Sequence, residues 1–422
     1  MRFSIFTPTH KADYLLDVFE SLTKQTFNDW EWVLIPNGKK IIIPNAIRVH
    51  PQVRIIPAPK GLNKKGIGAL KQFACSQCAG DYLVELDHDD LLTPDALEVI
   101  HATAINTGAG FIYSDFSNFY PNDTCQIFGN AYGWQHYPVQ VADREYTAMR
   151  AFATNPSSLH QIYYAPNHVR VWSREAYLKT GGHDPKLHVV DDHDLLCRTY
   201  LAGVEFAHIP QCLYLYRLQA NDQNSYLQMN ADIQTLQHEV ANKYIYQLVM
   251  EWCRRNAYPM VDLNQTAMIP GFITLPSSHD FKHGIPLPDN SVGCIRAYDV
   301  FQQVRACQGH DCDHGTDGED LCIVGIMNEI YRVLAPGGWL FCGVPASEIT
   351  RDPAQMVWNN HSFLHFTDQN HAKYIQGLQC RFQESRIWQA YASDWHEQND
   401  RPHIYANLVA LKGQEQPGII SI

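Results

Sequence analysis

Three carboxylates crowd the end of one apolar run. The stretch Tyr82-Leu-Val-Glu-Leu-Asp-His-Asp-Asp-Leu-Leu92 sets Asp87, Asp89 and Asp90 around His88. Acids that close a buried strand must meet water, a cation or a ligand carrying one. Asp-x-Asp at such an end can hold a divalent metal, and the metal can hold a diphosphate. The competing use is a helix start capped by Thr93 or Asp95. A second cluster, Val189-Val-Asp-Asp-His-Asp-Leu-Leu196, puts Asp191, Asp192 and Asp194 within four positions. Acids in a first helical turn offset the helix dipole, and Asp194 fits that use. A third cluster, Cys307, His310, Cys312 and His314, has donors for zinc. Its spacing is tight and it sits among Gly and Asp, so a solvated loop is the plainer reading. Cys75 and Cys78 fall inside a helical pattern and read as small core hydrophobes.

Alternating strands and helices must position the first cluster. Phe3–Phe6 reads as a strand ending in Thr7-Pro8-Thr9. Tyr14–Leu22 reads as a helix with Leu15, Leu16, Val18, Phe19 and Leu22 on one broad apolar face. Trp30–Ile35 is a second strand, closed by Pro36-Asn37-Gly38. Val53–Ile56 is a third strand, and Lys65–Cys78 a helix entered through Gly66 and Gly68. This order predicts a mainly parallel sheet covered on both faces. Ligands of such sheets bind beyond the carboxyl ends of the strands. Thr7-Pro-Thr9, Asn37 and Asp87-His-Asp-Asp90 all fall at such ends, so one crevice can collect them.

The whole chain narrows the class. It has 422 residues, 45% hydrophobic and 18% charged, with a formal charge of -12. Two or three globular domains are expected. The acidic balance argues against a nucleic-acid partner held by broad phosphate neutralisation. No apolar run reaches the length of a membrane span. The first strand begins at once, which does not read as a signal peptide. Twelve cysteines without dense regular spacing are expected to be thiols in a cytoplasmic setting.

Taken together, Ser4-Ile-Phe-Thr-Pro-Thr9, Leu22-Thr-Lys-Gln-Thr-Phe-Asn-Asp-Trp-Glu31 and Gly80–Asp90 resemble the inverting family 2 glycosyltransferases of GT-A fold. The resemblance covers roughly the first 220 residues. It implies a metal, Mn²⁺ or Mg²⁺, on Asp89 with Asp87 as helper, or Asp87 on the ribose instead. It implies donor contacts from Thr7, Pro8, Thr9, Asn37, Lys71, Asp87 and His88. By position Asp192 matches the general base, with Asp191 in reserve. Asn167-His-Val-Arg-Val-Trp172 resembles the segment near the acceptor side, which makes His168, Arg170 and Trp172 candidates there. Trp172 reads equally well as core. Members often carry a metal- or diphosphate-binding His soon after a Tyr-Arg pair. Here Gln219 follows Tyr216-Arg217 near that point, so the third metal ligand is unassigned.

From Asp232 to Arg255 apolar residues recur at helical spacing, as a connecting helix or dimer contact. Residues 259–413 then resemble a class I S-adenosylmethionine methyltransferase. Ile285-Pro-Leu-Pro-Asp-Asn-Ser291 and Arg332-Val-Leu-Ala-Pro-Gly-Gly338 carry the likeness. The cofactor apparatus is missing from it. Val261–Ala267 has no glycine where backbone must approach the cofactor. Phe272–Pro276 has no acid, and Gln302-Gln303 stand where an acidic-His pair is expected.

The expected organisation is a GT-A domain over 1–227, a helix over 228–258, a second Rossmann-like α/β domain over 259–413 and a tail over 414–422. The expected activity is hexose transfer from a UDP-type sugar to a glycan hydroxyl, without S-adenosylmethionine. A bifunctional transferase-methyltransferase and a non-catalytic glycan-binding protein are the alternatives, and a homodimer is allowed.

Overall fold

The computed structural model describes residues 1–38, 41–122, 124–129, 133–162, 165–219, 228–265, 268–276, 281–304, 322–346 and 357–413. The chain divides into two compact units, Met1–Leu248 and Val249–Ile422. No helix among the described residues is long and apolar enough to cross a membrane. The Cys307–His314 cluster lies outside the described residues.

The first unit is built on strands β1 (Phe3–Thr9), β2 (Trp30–Pro36), β3 (Val53–Ile55), β4 (Tyr82–Glu85), β5 (Leu91–Leu92) and β6 (Phe111–Phe119). It continues through β7 (Cys125–Gln126), a hairpin of β8 (His136–Val141) and β9 (Arg144–Met149), then β10 (Arg170–Ser173) and β11 (Phe206–Arg217). The sheet runs β3-β2-β1-β4-β10-β6-β11-β5. Its β3-β2-β1-β4 half is parallel, as the alternating pattern predicts. Beyond it β10 runs antiparallel to both β4 and β6. The sheet is therefore mixed. An antiparallel insertion four residues long leaves no periodic trace in the sequence.

Helix α1 (Leu15–Thr23) buries Leu15, Val18 and Leu22 of the face read from the sequence, with Phe19 half-buried beside them, whereas Leu16 is 51% exposed because it falls a full residue off that face. Helix α2 (Asn45–Arg48) is a single turn. Helix α3 (Ile67–Gln77) begins just after Gly66, at φ 104°. Helices α4 (Ala96–Thr107), α5 (Pro156–Gln161) and α6 (Arg174–Lys179) precede α7 (Asp191–Leu201). A long helix, α8 (Asn230–Arg255), follows where the sequence shows helical spacing.

The second unit has its own sheet of β12 (Met260–Asp262), β13 (Ile273–Thr274), β14 (Val292–Tyr298), β15 (Leu334–Pro345), β16 (Phe382–Tyr391) and β17 (Pro402–Ala410). The order is β13-β12-β14-β15-β17-β16. Pairing is parallel from β13 to β15, while β17 runs antiparallel to both β15 and β16. Helix α9 (Ile323–Val333) buries Val324, Met327 and Ile330 in that unit's core.

Candidate functional site

The carboxyl ends of β1, β2 and β4 lie side by side. Thr9 pairs with Pro36 and Phe6 with Glu85, so Asn37 and Asp87 leave neighbouring strands at one edge. Thr7 and Thr9 are fully buried there. The Thr7 hydroxyl donates to the Leu86 carbonyl at 2.7 Å and accepts from the Trp32 indole at 2.9 Å. The Thr9 hydroxyl donates to the Lys11 carbonyl. Both were expected to line the nucleotide; their hydroxyls take internal partners, as buried hydroxyls do, Thr7 bracing the end of β4 and Thr9 that of its own strand.

The three acids of the first cluster differ in use. Asp90 is 1% exposed and accepts from the Tyr214 hydroxyl and the Arg217 amide, both at 2.7 Å. It ties the turn to β11. Arg217 also donates to the Asp89 carbonyl oxygen at 2.7 Å and to Asp17 at 2.9 Å. Asp87 keeps 39% of its side chain open. Burial, then the carboxylates of Glu85 and Asp89, push it up to about 6 against the pull of Lys71; solvent at its open side screens part of that rise. Asp89 accepts from the Gln219 amide at 2.7 Å, so a residue two positions after Arg217 holds a carboxylate in place. The buried Nε2 of His88 has no hydrogen-bond partner, and its ring packs edge-on against His10 at 4.9 Å. The carboxylate oxygens of Asp87 and Asp89 are donors of the kind a hard divalent cation such as Mg²⁺ or Mn²⁺ takes. Among the described residues no three His, Cys, Asp or Glu side chains gather closely enough to hold a metal alone.

The second acidic cluster opens α7. Its approach depends on Gly68, whose amide donates to the Leu187 carbonyl at 3.2 Å. A Cβ there would collide with the Asp184 carbonyl oxygen and lie 2.9 Å from that of Leu187. Val190, just before the pair, has φ 56°, a strained setting for a β-branched residue. Asp194 accepts from Tyr244 at 2.8 Å and from Arg198 at 2.8 Å, a structural use beyond the expected dipole compensation.

Between the clusters lies a network of buried charges. Lys71 Nζ is 2.6 Å from Glu85 Oε1 and 3.7 Å from Asp191 Oδ2. Arg170 Nη1 is 2.5 Å from Asp192 Oδ2 and 3.5 Å from Glu85 Oε2. Lys71 was expected at the donor phosphates; its side chain is 9% exposed and its ammonium faces these two buried acids. Of the acidic pair, Asp191 is 3% exposed and faces Lys71 and His183, whereas Asp192 is 18% exposed. Burial pushes the Asp191 carboxyl up to about 7, with Lys71 opposing and Asp192 adding to the rise. Asp192 goes the other way. Its burial works against ionisation, but Arg170 and then Lys71 hold it well below the usual carboxylate range.

The acceptor-side candidates separate. Arg170 is in the network just described. Trp172 is fully buried, with its indole nitrogen donating to Thr199 at 3.2 Å, so it belongs to the core. His168 stacks on Tyr214 at 4.6 Å and lies 4.0 Å from Asp87, beside the first acidic cluster. Burial lowers its pKa to about 3, which leaves the ring neutral. Sequence reasoning missed Glu85. Its signal was a charge inside the apolar run Tyr82–Leu86, which requires a buried partner.

The fold and site thus define an α/β protein with acids gathered at the carboxyl ends of parallel strands. Residues 4–176 match the model of the family described as Glycosyl transferase family 2. A chondroitin synthase from Escherichia coli is 25% identical over 217 residues, covering 50% of this chain and 28% of that protein. A hyaluronan synthase from Pasteurella multocida is 25% identical over 217 residues, covering 50% and 20%. This chain therefore spans less than a third of the length of those curated relatives. Among solved structures, S. aureus TarS 1-349 in complex with UDP-GlcNAc aligns at 12% identity and TM-score 0.42, over 60% of this chain and 73% of that one.

Proposed function

We propose that the first unit transfers a hexose from a nucleotide diphosphate sugar, UDP-linked, to a hydroxyl of a glycan acceptor, with inversion. The observation that carries this is the pairing of two acidic groups across one network. Asp87 and Asp89 are on one side, Asp192 on the other, and Glu85 lies between them. Asp89 and Asp87 would hold a Mg²⁺ or Mn²⁺ ion, which when bound supplies positive charge for the leaving diphosphate. Asp192 is the base, since it is the more open of the pair, and it takes the acceptor hydroxyl proton at a carboxylate oxygen. His168 stands beside Asp87 as a neutral ring. Asn37, half-buried at the end of β2, lines the nucleotide. The chondroitin and hyaluronan synthases among the relatives support a saccharide acceptor.

The test is a screen of nucleotide sugars with and without Mn²⁺, read as metal-dependent donor turnover. Turnover lost in Asp89→Ala and in Asp192→Ala supports the reading. Wild-type protein inert toward every donor overturns it.

For the second unit, the reading is a methyltransferase-like α/β domain that does not take S-adenosylmethionine. In its sheet, β12 has β13 on one side and β14 on the other, the switch point at which such sheets bind ligands. Asp262 ends β12 there, fully buried, and accepts from Arg296 of β14 at 2.6 Å. That ion pair engages the charged groups at the switch point internally. Calorimetry with S-adenosylmethionine decides it, and micromolar binding would overturn it. The described cysteines are free thiols, which supports a reducing, cytoplasmic setting.

A further inference from the structure

We propose that Glu85 is a positioning residue for the acceptor-side base, holding the two cations that aim the acidic pair. This rests on the transferase reading given above. Glu85 ends β4 and is 1% exposed. One of its oxygens meets Lys71 of α3 at 2.6 Å and the other meets Arg170 of β10 at 3.5 Å. Each cation then reaches one member of the pair on α7. Lys71 faces Asp191 at 3.7 Å, and Arg170 contacts Asp192 at 2.5 Å. Helix α3 and strand β10 therefore meet on one buried carboxylate of β4, which reaches both acids of α7 through their cations.

The arrangement does two things that a plain pair could not. Arg170 Nη1 is shared between Glu85 and Asp192, so Glu85 draws the guanidinium back and keeps it from engaging Asp192 alone. Glu85 also fixes Arg170 from behind, which gives Asp192 a stationary partner rather than a mobile one. A base must lie within hydrogen-bond reach of the proton it takes, and small displacements of such a group are costly to rate. The groups facing Asp192 are Arg170 from β10, Lys71 from α3, the buried rings of His168 and His183, and Asp191 and the His193 amide from α7 itself, with Glu85 of β4 reaching it through Arg170. Two cations against three carboxylates make Glu85 the member whose removal changes the balance most without deleting either partner of the base.

The experiment is steady-state transfer with Glu85→Gln and Glu85→Asp, alongside melting curves with and without UDP and Mn²⁺. For Glu85→Gln the expected result is a kcat lowered by roughly 10²-fold. The donor KM and the UDP-induced melting shift should stay within about twofold of wild type, the pattern of a lost transition-state interaction. Glu85→Asp should recover part of kcat. An unchanged kcat in Glu85→Gln overturns the proposal, as does a loss of donor binding in step with kcat. If Glu85→Gln does not fold, the charge-balanced double variant Glu85→Gln/Lys71→Met takes its place under the same criteria. Wild-type protein without transfer activity refutes the transferase reading itself. Active wild type with an indifferent Glu85 refutes only this inference.

Discussion

Arg170 Nη1 lies 2.5 Å from Asp192 Oδ2 on one side and 3.5 Å from Glu85 on the other. The pairing leaves Asp192 ionised and held in one orientation. Replacing it with Asn keeps the shape and removes the proton acceptor. Transfer should fall by about 10²- to 10⁴-fold, the usual worth of a general base. Stabilisation by UDP with Mn²⁺ should persist, because the donor-side acids are untouched. Parallel transfer and thermal-shift assays check both halves of that statement.

Gln219 donates to Asp89 at 2.7 Å. Partners that orient a metal-binding carboxylate are worth roughly 10- to 100-fold in metal affinity. Gln219→Leu should raise the Mn²⁺ concentration needed for UDP-induced stabilisation by a factor in that range. The melting temperature without metal should change little. A metal titration that superimposes on wild type would show that Asp89 needs no such support.

Asp191 makes stability depend on pH. Its carboxyl is pushed up to about 7 by burial, against an unfolded value of about 4. Between those values the folded chain keeps a proton that the unfolded chain has released. The contribution of Asp191 to stability therefore falls as pH rises through this window and is level outside it. Asp191→Asn mimics the protonated form. The melting temperature of the variant minus that of wild type should climb from about pH 4 to pH 7 and then flatten. A difference that falls with pH would mean that Lys71 wins and Asp191 is stabilised as the anion.

Trp172 separates core from acceptor contact. Trp172→Ala should cost about 3 to 5 kcal/mol of stability, as large aromatic deletions in cores do. Trp172→Phe should lose much less, and the acceptor KM should stay at the wild-type value. Urea unfolding and acceptor titrations give the two numbers.

How much of this was legible depended on what each residue type reveals. Strand ends at Thr9, Pro36 and Glu85 were marked by the switch from apolar runs to turn residues and acids. The alternating order of strands and helices gave the parallel half of the first sheet. The direction of β10 was not legible, since Arg170–Ser173 is too short to carry a pattern and its neighbours come from distant segments. A polar residue at a crevice edge also looks the same whether it turns outward or inward. Thr7 and Lys71 turned inward toward partners remote in sequence, and Thr9 toward the Lys11 carbonyl two residues on. The resemblance ranked Asp192 above Asp191 by position, while their difference in exposure, 18% against 3%, is a property of the packing alone. Glu85 was visible as a charge in a buried strand, but its partners came from α3 and β10.

The seat of the acidic pair against α3 is set in part by a missing side chain. The segment ending in Asp191 rests directly on the backbone at Gly68, at a separation that no Cβ permits. A single methyl group there, in Gly68→Ala, would act as a shim under the base. It would lift the start of α7 off α3 without touching any charged atom, so this glycine serves as the gauge for that seat.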